Sequence, residues 1–182
     1  GIRSDAEDIR VVSGAQEGLN LTAKALLRPG DAVLTEGPTY RGATAAFWSR
    51  GADTAAVPFA EEGVDLAAWE RAVRALRPRL VYLIPRYQNP TTRCWDAPAL
   101  RFLLDLAEQH DFYILEDDLL SDLHYGAAPE PATLKSMDRH DRVIYVRGFS
   151  KVLLPGLRLG MLILPRKLRR AFEAAKRTSD IS

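Results

Sequence analysis

The feature that most constrains the fold is a regular alternation between short apolar segments and longer segments with helical periodicity. Segments such as "LVYLI" (residues 80–84) and "RVIYV" (residues 142–146) are apolar almost throughout, which is typical of strands buried on both faces of a sheet. Between the first two apolar segments of the chain, "DIRVV" and "AVLTE", the apolar residues Leu19, Ala23 and Leu26 recur at helical spacing. The alternation predicts an α/β fold of three αβα layers, with a mostly parallel central sheet covered by helices on both faces.

The predicted elements follow one another along the whole chain. Strands are expected at "DIRVV", "AVLTE", "TAAVPF", "LVYLI", "FYILE", "RVIYV" and "LGMLIL". Helices are expected at residues 13–27, 41–50, 66–76, 96–110 and 167–177. Asp65 and Asp96 are expected to be N-caps, and Gly51 is expected at the C-cap position of the second helix. The longest irregular stretch is "GAAPEPATLKSMDRHD" (residues 126–141).

Length and charge exclude several classes of protein. The 182 residues are enough for one domain with a sizeable core, and the net charge of +1 gives no general attraction to nucleic acid or to a membrane surface. No apolar run approaches the roughly 18 residues of a spanning helix. The single cysteine, Cys94, cannot form an internal disulfide and fits a reducing, cytoplasmic location. His110, His124 and His140 lack the spacing of metal ligands, so no metal site is expected.

Small and polar residues follow the predicted strands, at the sheet edge where α/β proteins bind ligands. The first strand is followed by "SGAQ" (residues 13–16), which opens a helix and could hold a phosphate on free backbone N–H groups, or could be an ordinary helix start. Tyr40 follows the second strand and could stack on a flat ligand or be a core or loop tyrosine. Asn89, before a proline, could contact a ligand or form a plain Asx turn.

Charged residues follow two further strands. The adjacent carboxylates of Asp117 and Asp118 repel one another, so one of them could face a buried cation, or the pair could cap a helix. Lys151, in "GFSK", could be a buried or cleft amine that forms a Schiff base, and Arg158 could bind a phosphate. Both could equally be ordinary surface residues. Together these groups match the needs of pyridoxal 5′-phosphate: an amine for its aldehyde, contacts for its phosphate and ring, and an aspartate for its ring nitrogen.

The motifs "SGAQEGLNL", "PGDAVLTEGPTY", "PRYQNPTT", "ILEDD" and "GFSKVLLPGLRLG" resemble, in order and across nearly the whole chain, those of the class I/II aminotransferases of fold type I. The resemblance is greatest to the branch that holds 2-aminoadipate-type aminotransferases and the aminotransferase-like domains of GntR/MocR regulators. It implies that Lys151 forms the Schiff base and moves the proton, and that Asp117 pairs with the pyridinium nitrogen. It also implies that Asn89 donates to the phenolic oxygen and that Tyr40 stacks on the ring. The phosphate contacts that it implies are Gly14, Ala15, Gln16, Ser150 and Arg158.

The sequence departs from the family pattern at four positions. Leu119 and Leu120 stand where the family often has a tyrosine, Gly148 stands in place of a serine, and Thr92 stands in place of a glycine. We expect these changes to weaken or retune cofactor binding, or to mark a drift away from catalysis.

The resemblance implies a pyridoxal-phosphate-dependent aminotransferase that acts on an amino acid and a 2-oxo acid as a homodimer. Residues 1–182 are then expected to be its cofactor-binding large domain, without the N-terminal segment and the C-terminal small domain, and to transaminate poorly or not at all in isolation. The alternative is the effector-binding domain of a GntR/MocR-type transcription regulator. In that case nucleic acid would be bound by a helix-turn-helix preceding this chain.

Overall fold

A computed structural model of the chain describes residues 1–61, 63–123 and 132–179. The described residues form seven strands: β1 Ile9–Val12, β2 Ala32–Gly37, β3 Asp53–Pro58, β4 Leu80–Leu83, β5 Tyr113–Asp117, β6 Val143–Gly148 and β7 Gly160–Ile163. They form six α-helices: α1 Ala15–Leu26, α2 Arg41–Trp48, α3 Leu66–Leu76, α4 Ala97–His110, α5 Leu134–Met137 and α6 Arg169–Arg177. All seven predicted strands and all five predicted helices are present.

The strands form one mixed sheet in the order β1-β7-β6-β5-β4-β2-β3. The four pairings from β3 to β6 are parallel, whereas β7 runs antiparallel to both β6 and β1. The prediction of a mostly parallel sheet is confirmed. Since β1 and β6 both oppose β7, they run in the same direction as β2, β4 and β5, and all five end at one edge of the sheet.

Two hydrophobic cores lie on opposite faces of this sheet, which confirms the three-layer architecture. Helices α1, α2 and α6 pack on one face, where Leu19, Phe47 and Phe172 are almost completely buried. Helices α3, α4 and α5 pack on the other face, where Trp69 and Leu103 are almost completely buried. In the part of the chain that the structure describes, no helix combines the length and the apolar character needed to span a membrane.

The helix caps follow the predictions at the N-termini and depart from them at one C-terminus. Asp65 and Asp96 each accept a hydrogen bond from the backbone N–H three residues later, at 2.9 and 2.8 Å. Helix α2 ends at Trp48, with Ser49 as its C-cap, and not at residue 50 as predicted. The last turn tightens into bonds of the i to i−3 type, so the left-handed Gly51 (φ 72°) lies beyond the helix end.

Helix α5 lies within the stretch predicted to be irregular. Thr133 caps it, and the buried Glu116 of β5 accepts hydrogen bonds from the backbone N–H groups of Leu134 and Lys135, at 2.9 and 2.8 Å. A four-residue helix has too few turns to show periodicity, and its anchor comes from a distant strand. Residues 126–131 of the stretch and the histidine at 124 lie outside the described residues.

Candidate active site

An open cavity of about 470 Å³ lies at the edge of the sheet where the parallel strands end. It is lined by Ala15, Gln16, Leu19, Tyr40, Asn89, Asp117, Leu119, Gly148, Ser150, Lys151 and Arg158. Eight of the nine site residues predicted from the sequence are in this lining. The ninth, Gly14, lies beside it, because a Cβ placed on Gly14 would be 3.3 Å from Nη2 of Arg158. The structure therefore brings all nine predicted residues together.

The start of α1 forms one end of the cavity. Gly14 is its N-cap and has a positive φ of 83°, a backbone conformation that L side chains rarely adopt. The guanidinium of Arg158 lies against Gly14, so a cation and the N-terminus of a helix share this end of the cavity. Both favour an anion, since the first N–H groups of a helix lack intrahelical partners and lie at the positive end of its dipole.

The Tyr40 ring forms a side wall of the cavity and is partly exposed, at 37%, so it is not a core tyrosine. Its hydroxyl donates to Oε1 of Gln16 at 3.1 Å, and Nε2 of Gln16 donates to the carbonyl of Gly42 at 3.0 Å. A Cβ on Gly42 would lie 2.4 Å from Cζ of Tyr40, so the ring lies directly against the Gly42 backbone. Gln16 thus helps to hold the aromatic ring in addition to lining the cavity.

Asp117 lies at the buried base of the cavity and is 4% exposed. The hydroxyl of Tyr82 donates to its Oδ2 at 2.7 Å, whereas its Oδ1 is buried and has no hydrogen-bond partner among the described residues. Burial raises the pKa of Asp117 to about 6, and the nearby Asp118 adds to this, while the Tyr82 hydrogen bond opposes it. The open acceptor suits an N–H donor or a cation in the cavity.

Asp118 has a different environment from its neighbour and does not line the cavity. It forms a buried ion pair with Arg86 and accepts a hydrogen bond from the Tyr145 hydroxyl. The two carboxylates therefore face different partners, and the predicted buried cation is Arg86, opposite Asp118. The alternative of a helix cap is wrong for the described residues, because only a single 3₁₀ turn, Ser121–Leu123, follows closely.

Lys151 and Asn89 line the cavity from the two remaining loops. Both are exposed, so of the two predicted environments for Lys151, buried or at a cleft, the structure shows the second. The segment after β6 turns sharply, since the N–H groups of Val152 and Leu153 both donate to the carbonyl of Phe149. This turn brings Lys151 to the cavity rather than along the axis of β6.

The departures from the family pattern have structural counterparts. A Cβ on Gly148 would lie 3.0 Å from Cδ1 of Leu119 and 3.2 Å from Cβ of Ala15, so leucine fills the space that a side chain at 148 would need. Thr92 has a φ of 60°, the left-handed conformation that favours glycine. Leu120 is half-buried and is not part of the lining.

Tyr82 is a site residue that was not predicted from the sequence. Its side chain is completely buried, and its hydroxyl is the hydrogen-bond partner of Asp117. The available signal was a phenol inside the otherwise aliphatic strand "LVYLI", because a buried hydroxyl requires a polar partner.

The chain matches known proteins over nearly its whole length. The family model for aminotransferase class I and II matches residues 1–181. A 2-aminoadipate transaminase of Thermus thermophilus is 36% identical over 177 residues, which cover 96% of this chain and 45% of that protein. A probable rhizopine catabolism regulatory protein, MocR, of Rhizobium meliloti is 33% identical over 173 residues, which cover 95% of this chain and 34% of that protein.

The fold of the chain also matches that of a solved aminotransferase structure. The α-aminoadipate aminotransferase of Thermus thermophilus, in complex with N-(5′-phosphopyridoxyl)-L-leucine, superposes with a TM-score of 0.88 at 37% identity, covering 96% of this chain and 46% of that one. The chain thus spans less than half the length of the relatives it matches. Its sequence, its fold and its agreement with the family model together place it in the family of class I and II aminotransferases.

Proposed function

We propose that this chain is the cofactor-binding part of a pyridoxal-phosphate-dependent aminotransferase, which transfers an amino group between an amino acid and a 2-oxo acid. The observation that carries the proposal is the open acceptor of Asp117, Oδ1, at the base of a cavity that also presents an amine and a guanidinium. Family membership and the phosphopyridoxyl adduct in the solved relative support the same chemistry.

The residues present fit the cofactor at both of its ends. The cavity of about 470 Å³ is within the range of small-molecule sites, roughly 300–1,000 Å³. Its buried end offers the unpartnered Oδ1 of Asp117 for a protonated ring nitrogen. Its other end offers Arg158 and the start of α1 for a phosphate, with Ser150 beside them.

The chain's own groups divide the chemistry between them. Bound pyridoxal phosphate supplies an electron sink that stabilises negative charge on the substrate Cα. We assign Lys151 Nζ as the amine that would hold the cofactor aldehyde and, when free, would move the proton from the substrate Cα. Asp117 would be the counter-ion of the ring nitrogen, and Tyr82 orients its carboxylate. Tyr40 would hold the ring face and Asn89 the phenolic oxygen.

The second candidate function is an effector-binding domain of a transcription regulator. It is favoured by relatives that are regulators, including MocR and the HTH-type transcriptional regulator TauR of Rhodobacter capsulatus, at 33% and 35% identity. In that case the same cavity would bind pyridoxal phosphate and an amino acid without turnover, and DNA would be bound outside residues 1–182. In both cases we propose a homodimer.

The test is an absorption titration with pyridoxal phosphate, on the full-length protein and on this chain. We expect a visible band from the lysine-linked cofactor in the wild type, its loss in Lys151→Ala, and its retention in Lys167→Ala, a matched change of an exposed lysine away from the cavity. Absence of the band in the full-length wild type would reject the proposal.

Turnover then separates the enzyme from the regulator. Amino acids that convert the visible band to that of the amine form of the cofactor are mixed with the protein and a different 2-oxo acid. The release of product is then measured over repeated cycles. Repeated turnover supports the aminotransferase, whereas a spectral change with no product supports the regulator.

A further inference from the structure

We propose that the buried amide of Gln88 is a positioning residue, which holds Asn89 and the Tyr40 loop at a set separation on either side of the cavity. The inference rests on the proposed function, because it assigns these two residues to the cofactor ring. Asn89 and Tyr40 follow β4 and β2, which pair in the sheet, and contacts between the two loops then fix their relative position beyond the ends of these strands.

Gln88 makes that contact directly. Its side chain is 1% exposed, and its Nε2 donates to the carbonyl of Pro38 at 2.7 Å, two residues before Tyr40. Its Oε1 accepts hydrogen bonds from the backbone N–H and the hydroxyl of Thr91, at 2.9 and 2.6 Å. One amide therefore connects the loop that carries Tyr40 to both sides of the turn that carries Asn89.

Glu36 of β2 anchors the other side of this amide. Its carboxylate, 1% exposed, accepts hydrogen bonds from the side chain of Gln88, from the Ile84 N–H at 3.0 Å and from Nε1 of Trp95 at 2.6 Å. Ile84 and Trp95 lie at the two ends of the loop that contains Asn89. Every partner of Glu36 is thus a donor, and this one carboxylate attaches both ends of the loop to β2.

The Gln88 amide uses most of its hydrogen-bonding capacity in this network. A primary amide has two N–H donors and one oxygen that accepts two bonds. Here Pro38 accepts from one donor, Thr91 occupies both acceptor positions, and the remaining donor faces the Glu36 carboxylate. A residue of the same length without these groups would leave buried partners unsatisfied and let the two loops move apart. The effect would reach the cofactor through Asn89 and Tyr40, since Gln88 itself does not line the cavity.

The experiment compares Gln88→Met with Gln109→Met in the full-length protein. Methionine keeps the length of the side chain and removes its hydrogen bonds, and Gln109 is an exposed glutamine on α4. We expect Gln88→Met to weaken pyridoxal phosphate binding roughly tenfold, the equivalent of one to two lost hydrogen bonds, and Gln109→Met to leave it unchanged. The visible band should also be titrated with pH. The midpoint of this titration should move in the same direction in Gln88→Met as in Asn89→Ala.

Two further variants separate positioning from a general loss of stability. Phe172→Leu, in the core under α6, lowers stability without touching the network, and should leave the affinity and the midpoint unchanged at a temperature where the protein is folded. In an Asn89→Ala background, Gln88→Met should have a smaller effect on affinity than in the wild type, because the part of its effect that acts through Asn89 is already lost and only the part through Tyr40 remains.

Each outcome decides the inference. An unchanged affinity and midpoint in Gln88→Met, or full additivity with Asn89→Ala, would overturn it while the wild-type band leaves the proposed function standing. A wild type that binds no pyridoxal phosphate would reject the proposed function and, with it, this inference.

Discussion

The substitution Gly160→Ala tests how the sheet holds the start of α1. Gly160 opens β7 and does not line the cavity, but a Cβ there would lie 2.9 Å from the carbonyl oxygen of Arg147, 2.9 Å from the carbonyl carbon of Gly14 and 3.1 Å from the nitrogen of Ala15. All three are backbone atoms. Ordinary contact begins at 3.4 Å, so the backbone must move by about 0.5 Å.

Neither side of Gly160 can move freely. It pairs with Gly148 of β6 and with Val12 of β1, so two strands restrain it. Overpacking of this kind costs about 1–3 kcal/mol of folding free energy. The Gly14–Ala15 peptide is the part that can shift, and it is also the proposed phosphate site. Because a misplacement of about 1 Å can cost a hundredfold in function, we expect pyridoxal phosphate affinity to fall roughly tenfold.

The assay pairs urea unfolding with an absorption titration. The matched control is Gly156→Ala in the 3₁₀ turn that precedes β7, where a Cβ would meet no heavy atom within 4 Å and the backbone has no positive φ. We expect the control to keep wild-type stability and affinity, while Gly160→Ala loses both. If the two alanine variants behave alike, the close approach of β7 to the start of α1 does not support the cofactor site.

Two further predictions follow from strained and buried groups. Replacing Thr92 by glycine should raise the free energy of unfolding by roughly 0.5 kcal/mol. The left-handed φ of 60° costs a β-branched residue about 1–2 kcal/mol, and the greater backbone entropy of glycine in the unfolded chain offsets only part of the gain. Urea unfolding of both forms measures the difference, and a clear destabilisation by Thr92→Gly would contradict the prediction. Burial raises the pKa of Glu116 to about 8 from an ordinary value of 4.5, so the folded state binds the extra proton between these values and stability must rise as pH falls. When the pH is lowered from 8 to 6, Glu116 alone should add roughly 2 kcal/mol to the unfolding free energy of the cofactor-free chain, and Glu116→Gln should reduce that gain. A wild-type unfolding free energy that stays flat or falls over this window would contradict the raised pKa of Glu116.

Much of the fold could be predicted because its signals are local. Strand segments such as "LVYLI" are apolar on both faces only if both faces are covered, and Asp65 and Asp96 cap helices through contacts three residues away. The end of α2 and the four-residue α5 could not be predicted, because the first depends on a tightened last turn and the second on Glu116 of a distant strand.

The candidate site was also largely predictable, for a topological reason. Parallel strands end at the same edge of the sheet, so polar residues that follow different strands must meet there. The partners of those residues were not predictable. The Tyr82 hydroxyl reaches Asp117 across 35 positions, Arg86 reaches Asp118 across 32, and Gln88 reaches Pro38 across 50. Such contacts depend on strand order and register, which no local pattern contains.

The alternation of elements, the residues at the strand ends and the family of the chain can be read from the sequence, because they depend on local periodicity and on the order of motifs. The fold is needed to learn which carboxylate of the pair at 117 and 118 faces the cavity and how closely Gly160 approaches the start of α1. It also decided that Gln88 joins two loops. These are distances of a few ångströms between segments far apart in sequence, and they arise only when the strands pack into one sheet.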